Sequence, residues 1–283
     1  MRAIARYARL VALPHTVFSL PFALGAAAVA GRHSHPSAAR YFWIVVAVAA
    51  ARTAAMAFNR WADRDFDRMN ARTAGRELPR GLVSPAGALL LTATASALFL
   101  VSAWQLGKLP LLLSPLALAV CLGYSLAKRV TNLSHLVLGV ALAGAPMGAW
   151  IAITGGLSRG AVALSGAVAA WVAGFDLIYA CQDVEFDRGH GLGSIPARWG
   201  IAMALRASIA LHVAAAAGLV LFGLWSGLGP VYFTGVAAMV IGLTYEHAIV
   251  SPDDLSRVDQ AFFTLNGWVA LLFGLCTVVE VVA

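Results

Sequence analysis

The chain has 283 residues, 60% of them hydrophobic and only 12% charged, with 20 Lys+Arg against 13 Asp+Glu and a net charge of +7; an ordinary soluble domain is about one quarter charged. At a mean hydropathy of +0.80, the apolar content exceeds what one buried core absorbs, because a soluble fold still needs a polar surface. A soluble globular chain is excluded, and the positive balance points to anionic lipid rather than nucleic acid, since the basic residues interleave with acids between apolar runs.

Stretches of the ~20 apolar residues needed to cross ~30 Å of hydrocarbon recur along the chain. In order they are 11–30, 40–58, 85–104, 109–127, 134–154, 162–182, 201–224, 230–249 and 262–281, nine in all. Their Ala, Leu, Val and Gly content shows no period-two alternation, which selects helices over a barrel and gives an all-α membrane fold. The start of the chain resembles a signal peptide, with three Arg before an apolar run ending in Ala-rich residues 26–30. The ordered polar pattern inside that run argues that it is retained as the first helix.

Orientation follows from the basic residues, which concentrate in cytoplasmic loops. Fifteen of the twenty fall on the face that carries the N-terminus, four (Arg32, Arg40, Lys108, Arg159) fall on the other, and Arg52 lies within a helix. The N-terminus is therefore expected in the cytoplasm and, after nine crossings, the C-terminus outside. Cys121, Cys181 and Cys276 sit singly in apolar segments and read as packing residues. Gly144-Ala145-Pro146-Met147-Gly148 reads as a small-residue helix contact. His33 and His35 lack acid or Cys partners and read as outer-loop polar residues.

Charge is concentrated in two cytoplasmic segments. Ten charged side chains fall in 59–81 and seven in 176–206, just over half of the 33 in the chain. Insertion bias explains Arg there but not the acids. On a helix continuing from the second span, Asn59, Asp63 and Asp67 are spaced i, i+4, i+8 and share one face. Asp176, Asp183 and Asp187 repeat the arrangement at the end of the sixth span, 120 residues later. Carboxylates clustered at a helix carboxyl end oppose both the helix dipole and one another, so a bound cation is implied. Mg2+ suits few protein carboxylates together with a polyphosphate. The bland alternative is pairing of Asp with Arg along a solvated helix end; duplication of the motif argues against it. Gly75, Pro79, Arg80 and Gly81 follow the first motif, and Gly193, Pro196, Arg198 and Gly200 the second. These loops offer flexible backbone and Arg forks for phosphate oxygens. Lys128 and Arg129, after Tyr124, add a third basic element, for which membrane topology is a strong alternative explanation. Arg52 stands seven residues before Asn59, about two turns deeper on nearly the same face. A buried Arg needs an anion; an acceptor carboxylate and Asp176 are both open as that partner.

These residues resemble the UbiA superfamily of intramembrane aromatic prenyltransferases. Asn59-Arg60-Trp61-Ala62-Asp63-Arg64-Asp65-Phe66-Asp67 resembles its first motif, with Arg60 replacing the commoner Asp, and Asp183-Val184-Glu185-Phe186-Asp187 its second. Tyr124-Ser125-Leu126-Ala127-Lys128 is similar to its YxxxK-type element, residues 72–81 to its first cap loop, and the first helix, Leu13-Pro14-His15-Thr16-Val17-Phe18-Ser19-Leu20-Pro21-Phe22, and the segment Val250-Ser251-Pro252-Asp253-Asp254-Leu255 also look familial. Within the superfamily the chain looks most like bacterial 4-hydroxybenzoate polyprenyltransferase-like proteins. Residues 128–139 and 182–187 look most like the branch on the futalosine route to menaquinone, and His135 replaces the Gln usual in 4-hydroxybenzoate enzymes.

The resemblance implies one domain over 1–283, with two weakly similar halves and a central cavity capped by cytoplasmic loops, in a bacterial inner membrane. It implies Mg2+-dependent transfer from a polyprenyl diphosphate to an aromatic hydroxy acid, 4-hydroxybenzoate or a dihydroxynaphthoate. Asn59, Asp63, Asp67, Asp183 and Asp187 would hold metal; Arg72, Arg76 and Lys128 would hold diphosphate; Arg52, Asp176 and Tyr179 would border the acceptor; Tyr124 would join Lys128 and the aspartates in catalysis. The competing readings are a transporter or flippase of a polyprenyl or phosphorylated substrate, and another transferase of the superfamily, such as a haem farnesyltransferase or a lipid ether synthase.

Overall fold

A computed structural model describes residues 2–11 and 18–283. Of the familial stretch from Leu13 to Phe22, residues 13–17 lie outside the described residues. The described chain is helical from end to end: α1 (Arg2–Leu10), α2 (Leu20–Gly31), α3 (Ala38–Ala62), α4 (Arg64–Met69), α5 (Pro85–Leu106), α6 (Lys108–Gly123), α7 (Ser134–Thr154), α8 (Arg159–Ala180), α9 (Val184–Gly189), α10 (Ile195–Trp199), α11 (Ile201–Trp225), α12 (Pro230–Ala248) and α13 (Asn266–Val282). Local chemistry sets many of the ends. Ser84, Ser158 and Ser194 each accept a hydrogen bond from the backbone N–H three residues on, at the starts of α5, α8 and α10, and Pro85 and Pro230 occupy first-turn positions where no N–H is needed. Gly155 ends α7 in the left-handed region, at φ 72°.

Among the described residues, seven segments are long and apolar enough to cross a membrane: Ala38–Ala62, Pro85–Leu106, Lys108–Arg129, Ser134–Thr154, Arg159–Gly189, Ile201–Trp225 and Gln260–Val282. The expected count of nine is not reached on these criteria. The first expected span appears as the twelve-residue α2, beside residues outside the described set. The eighth, α12, carries Glu246 and His247 in its last turn, which lower its hydropathy.

Helix α8 forms the centre, burying 14 of its 22 residues against α7 on one side and α11 on the other. Helices α3, α5 and α6 complete one half of the bundle; α12 and α13 complete the other, with α2 between α7 and α13. Close helix approach depends on small residues, as expected where lipid removes the hydrophobic drive between helices. A Cβ on Gly139 would collide with the Ala169 carbonyl, and one on Gly174 with the His212 ring. The expected contact at Gly144 and Gly148 is not there: a Cβ at either meets nothing within 4 Å. On α7 the close approach is made by Gly139 instead.

A buried polar network ties α8, α12 and α13. The Trp171 indole donates to Asn266 Oδ1 (2.8 Å), and the Asn266 amide donates to Glu246 Oε1 (2.9 Å) and to the Ala261 carbonyl (3.0 Å). Ala261 belongs to a π-helical turn, Gln260–Leu265, whose wider winding shifts the usual backbone pairing. The outward surface is apolar: Leu90, Leu112, Leu116 and Ile241 are each at least 65% exposed.

The two ends of the bundle are distinguished by contacts. At one, Arg9 pairs with Glu77 at 3.3 Å and Arg60 donates to the Leu10 carbonyl at 3.3 Å, so α1 sits with the first motif loop. At the other, Arg32 donates to Gly227 O (3.4 Å), and Glu280 accepts from the N–H groups of Gly229 and Tyr232 (2.8 and 3.1 Å). The N-terminal helix and the C-terminal end of α13 therefore lie at opposite ends.

Candidate active site

Both acidic motifs sit where a long helix kinks. The expectation of a continuous helix through Asn59, Asp63 and Asp67 is corrected: α3 ends at Ala62, Asp63 has φ −93° and ψ 5°, and α4 begins at Arg64. The second motif does the same, with Asp183 at φ −103° and ψ 8° between a 3-10 turn (Cys181–Asp183) and α9. This sparsely populated backbone region lies between helix and strand. The i to i+4 relation survives the first kink, because the Asp67 N–H still bonds the Asp63 carbonyl at 2.7 Å.

The two kinks face each other across a cavity of about 170 Å³, lined by Asn59, Asp63, Asp67, Arg72, Arg76, Tyr124, Lys128, Asp176, Tyr179, Asp183 and Asp187. Eleven of the twelve side chains singled out from the sequence thus come together; Arg52 is not in the lining. Arg52 Nε is nevertheless buried without a hydrogen-bond partner. It does not pair with Asp176, whose Oδ2 is 2.7 Å from His135 Nδ1.

Each motif aspartate faces one cation. Asp183 receives the Arg72 fork, with Nε at 3.0 Å and a closer Nη2 contact, while Arg72 Nη1 reaches the Tyr179 hydroxyl at 2.6 Å. The guanidinium also lies 5.0 Å from the centre of the Tyr179 ring. Asp67 pairs with Arg76 (2.6 Å), Asp187 with Lys128 (3.0 Å) and Asp63 with Arg129 (3.2 Å). Asn59 donates to Asp63 Oδ2 at 2.9 Å. Pairing along one helix end occurs only at Arg64 and Asp65 (3.5 Å) among the described ion pairs; three of the four motif pairs join distant parts of the chain. Burial raises the Asp63 carboxyl above its ordinary value, partly offset by the hydrogen bond from Arg129, and the nearby Asp67 raises it further.

Three participants were not assigned from sequence. Asn70 donates to Asp183 Oδ1 at 3.0 Å, Arg129 holds Asp63 while its guanidinium lies 5.4 Å from the Phe66 ring centre, and His135 holds Asp176. Arg129 carried a signal in its position beside Lys128, masked by the topological explanation. Asn70 and His135 depend on contacts across 113 and 41 residues, which no local pattern reveals.

The donor set fits a hard cation. It consists of carboxylate oxygens and one amide, and Asp67 Oδ2 is buried with no partner. Among the described residues, no three Asp, Glu, His or Cys side chains converge closely enough to hold an ion by themselves. An ion here would draw the rest of its shell from water or phosphate oxygens, as Mg2+ does.

Residues 19–268 match the UbiA prenyltransferase family. The chain is 33% identical over 219 residues, 77% of its length and 74% of the relative's, to the 4-hydroxybenzoate octaprenyltransferase of Nitrosospira multiformis. An apo structure of a UbiA homolog from Aeropyrum pernix K1 superposes with a TM-score of 0.86 at 40% identity, over 94% of this chain and 98% of that one. The structure of a UbiA homolog from Archaeoglobus fulgidus bound to GPP and Mg2+ gives a TM-score of 0.77 at 19% identity, over 98% and 100%, a likeness of fold.

Proposed function

The chain belongs to the UbiA prenyltransferase family, and from that premise we propose that it transfers a polyprenyl group from a polyprenyl diphosphate to the ring of an aromatic hydroxy acid. The acceptor is 4-hydroxybenzoate or a dihydroxynaphthoate, which places the reaction in ubiquinone or menaquinone synthesis at a bacterial inner membrane. The observation that carries the proposal is the ring of four aspartates around one cavity, each paired with a cationic side chain. The name of the Nitrosospira relative supports a benzoate acceptor, and the GPP and Mg2+ of the Archaeoglobus structure support the donor class and the metal. We read residues 1–283 as one domain of two related halves.

In this proposal Asn59, Asp63, Asp67, Asp183 and Asp187 hold Mg2+ directly or through water. Mg2+ so held supplies positive charge to the diphosphate oxygens. Arg72, Arg76 and Lys128, joined by Arg129, exchange their aspartate partners for those oxygens, where negative charge grows as the allylic C–O bond breaks. All four side chains already line the cavity, so the exchange is a local one. Tyr124 offers a ring face to the positive charge developing on the allyl group, and Tyr179, whose ring already carries Arg72 and Phe262, borders the acceptor. Arg52, with its unpaired buried Nε, pairs with the acceptor carboxylate. The apolar helices accommodate the isoprenoid tail.

The test is transfer of a radiolabelled prenyl group in nanodiscs to a panel of acceptors, with product identified by mass. Mg2+-dependent C-prenylation of an aromatic hydroxy acid is expected, abolished by Asp63→Ala and by Asp183→Ala. Full activity in both variants overturns the proposal.

A further inference from the structure

His135 is completely buried, yet its single hydrogen bond, from Nδ1 to Asp176 Oδ2 at 2.7 Å, goes to a side chain that lines the cavity. Its Nε2 is buried without any partner. An apolar residue of the same size would pack on α7 without stranding a polar atom, so packing does not account for an imidazole here. A carboxylate can only accept, so Nδ1 carries the hydrogen of this bond. The pair thus holds one carboxylate oxygen from behind and leaves the other available to the cavity. Asp176 lies seven residues before Asp183 on α8, about two helical turns deeper, away from the four motif pairs. The same cavity is lined by Tyr124 from the Tyr124–Arg129 turn, by Tyr179 and Asp183, and by Arg72 and Lys128. Ser125 and Ser134 also line this space, with buried hydroxyls that lack partners.

Resting on the functional reading above, we propose that Asp176 is the base that takes the hydroxyl proton of the aromatic acceptor, and that His135 is the positioning residue that aims it. As the ring carbon beside the hydroxyl bonds to the allylic carbon, the allylic C–O electron pair departs with diphosphate. The hydroxyl proton passes to Asp176, so the ring becomes a neutral dienone still carrying hydrogen at the new C–C bond. That hydrogen leaves as a proton to the departed diphosphate, and Asp176 returns its own proton to the oxygen. The net products are the prenylated acceptor, diphosphate and one proton, and Asp176 is regenerated.

The experiment compares wild type, Asp176→Asn, His135→Leu and His135→Asn in nanodiscs, with donor-diphosphate binding measured alongside kcat. Asp176→Asn is expected to lower kcat about 100-fold with donor binding within about twofold of wild type. The deficit should shrink at least about tenfold as pH approaches the hydroxyl's own ionisation near ~10, and likewise on a fluorinated acceptor whose hydroxyl is already ionised. His135→Leu should show the same pattern. His135→Asn, whose amide can donate from the Nδ1 position, should recover most of the activity. A deficit indifferent to pH and hydroxyl acidity, or loss of donor binding in Asp176→Asn, overturns the assignment while wild-type prenylation upholds the function. A wild type inactive on every aromatic hydroxy acid overturns the functional reading first.

Discussion

Arg72 spends its hydrogen bonds on the second motif and its neighbour: Nε and Nη2 fork onto Asp183, Nη1 reaches Tyr179, and the guanidinium carbon lies 5.0 Å from the centre of the Tyr179 ring. A lysine keeps the charge but has neither fork nor plane. Arg72→Lys is therefore expected to lower kcat/KM for the diphosphate donor about 10- to 100-fold, equivalent to about 1.4–2.7 kcal/mol. Steady-state transfer at varied donor concentration checks this; a change below about twofold would show that point charge suffices. At this scale the sequence disclosed residue types but not pairings. The acids of Asp63, Asp67, Asp183 and Asp187 stood out because insertion bias cannot place them, and Arg72 and Arg76 because they follow in the loop. Asn70 was silent, since an uncharged amide carries no local pattern that separates a partner from a packing residue, and His135 was marked only by the resemblance, as a replacement for the usual Gln, with nothing to join it to Asp176. Arg52 was legible as a buried cation in need of an anion, and the structure removes one of its two suggested partners by giving Asp176 to His135.

Among the elements, the decisive joint is between the loops of the two halves. Gly193, after the second motif, donates its N–H to the Lys128 carbonyl at 2.6 Å, and a Cβ on it would run into the Thr131 carbonyl. The loop from one half thereby holds in place the turn that presents Lys128 to Asp187 at 3.0 Å. Gly193→Val must push these backbones apart, at a cost of about 1–3 kcal/mol, and should raise the donor KM about tenfold or more. Gly144→Ala is the control: a Cβ there meets nothing within 4 Å, so activity and thermal stability should hold. Equal donor KM in Gly193→Val and wild type would remove the loop from the account. Helix positions were legible because ~20 apolar residues in succession have few other uses. Kinks at Asp63 and Asp183 were not, since neither carries Pro or Gly to announce a break. The π turn before α13 was equally hidden, because its wider winding is supported by Asn266, Glu246 and Trp171 from three different helices.

For the whole molecule, the placement of charge decides which way the bundle sits. The site lies at the end that holds α1 and the first motif loop, and fifteen of twenty basic residues belong to that end. Each Lys or Arg near an anionic inner leaflet contributes about 1 kcal/mol, so an excess this large should overwhelm any opposing preference of single loops. The prediction is a cytoplasmic site, open to water-soluble acceptor and to Mg2+. Leu157, 67% exposed between α7 and α8, and Ser256, exposed between α12 and α13, report the two faces. With Cys121, Cys181 and Cys276 first replaced by Ala or Ser, Leu157→Cys should react with a membrane-impermeant maleimide in intact spheroplasts. Ser256→Cys should react only after the membrane is opened. The reverse pattern would put the aspartate ring on the outer face, where the inner-leaflet attraction of those fifteen basic residues would have no counterpart and the charge argument itself would fail.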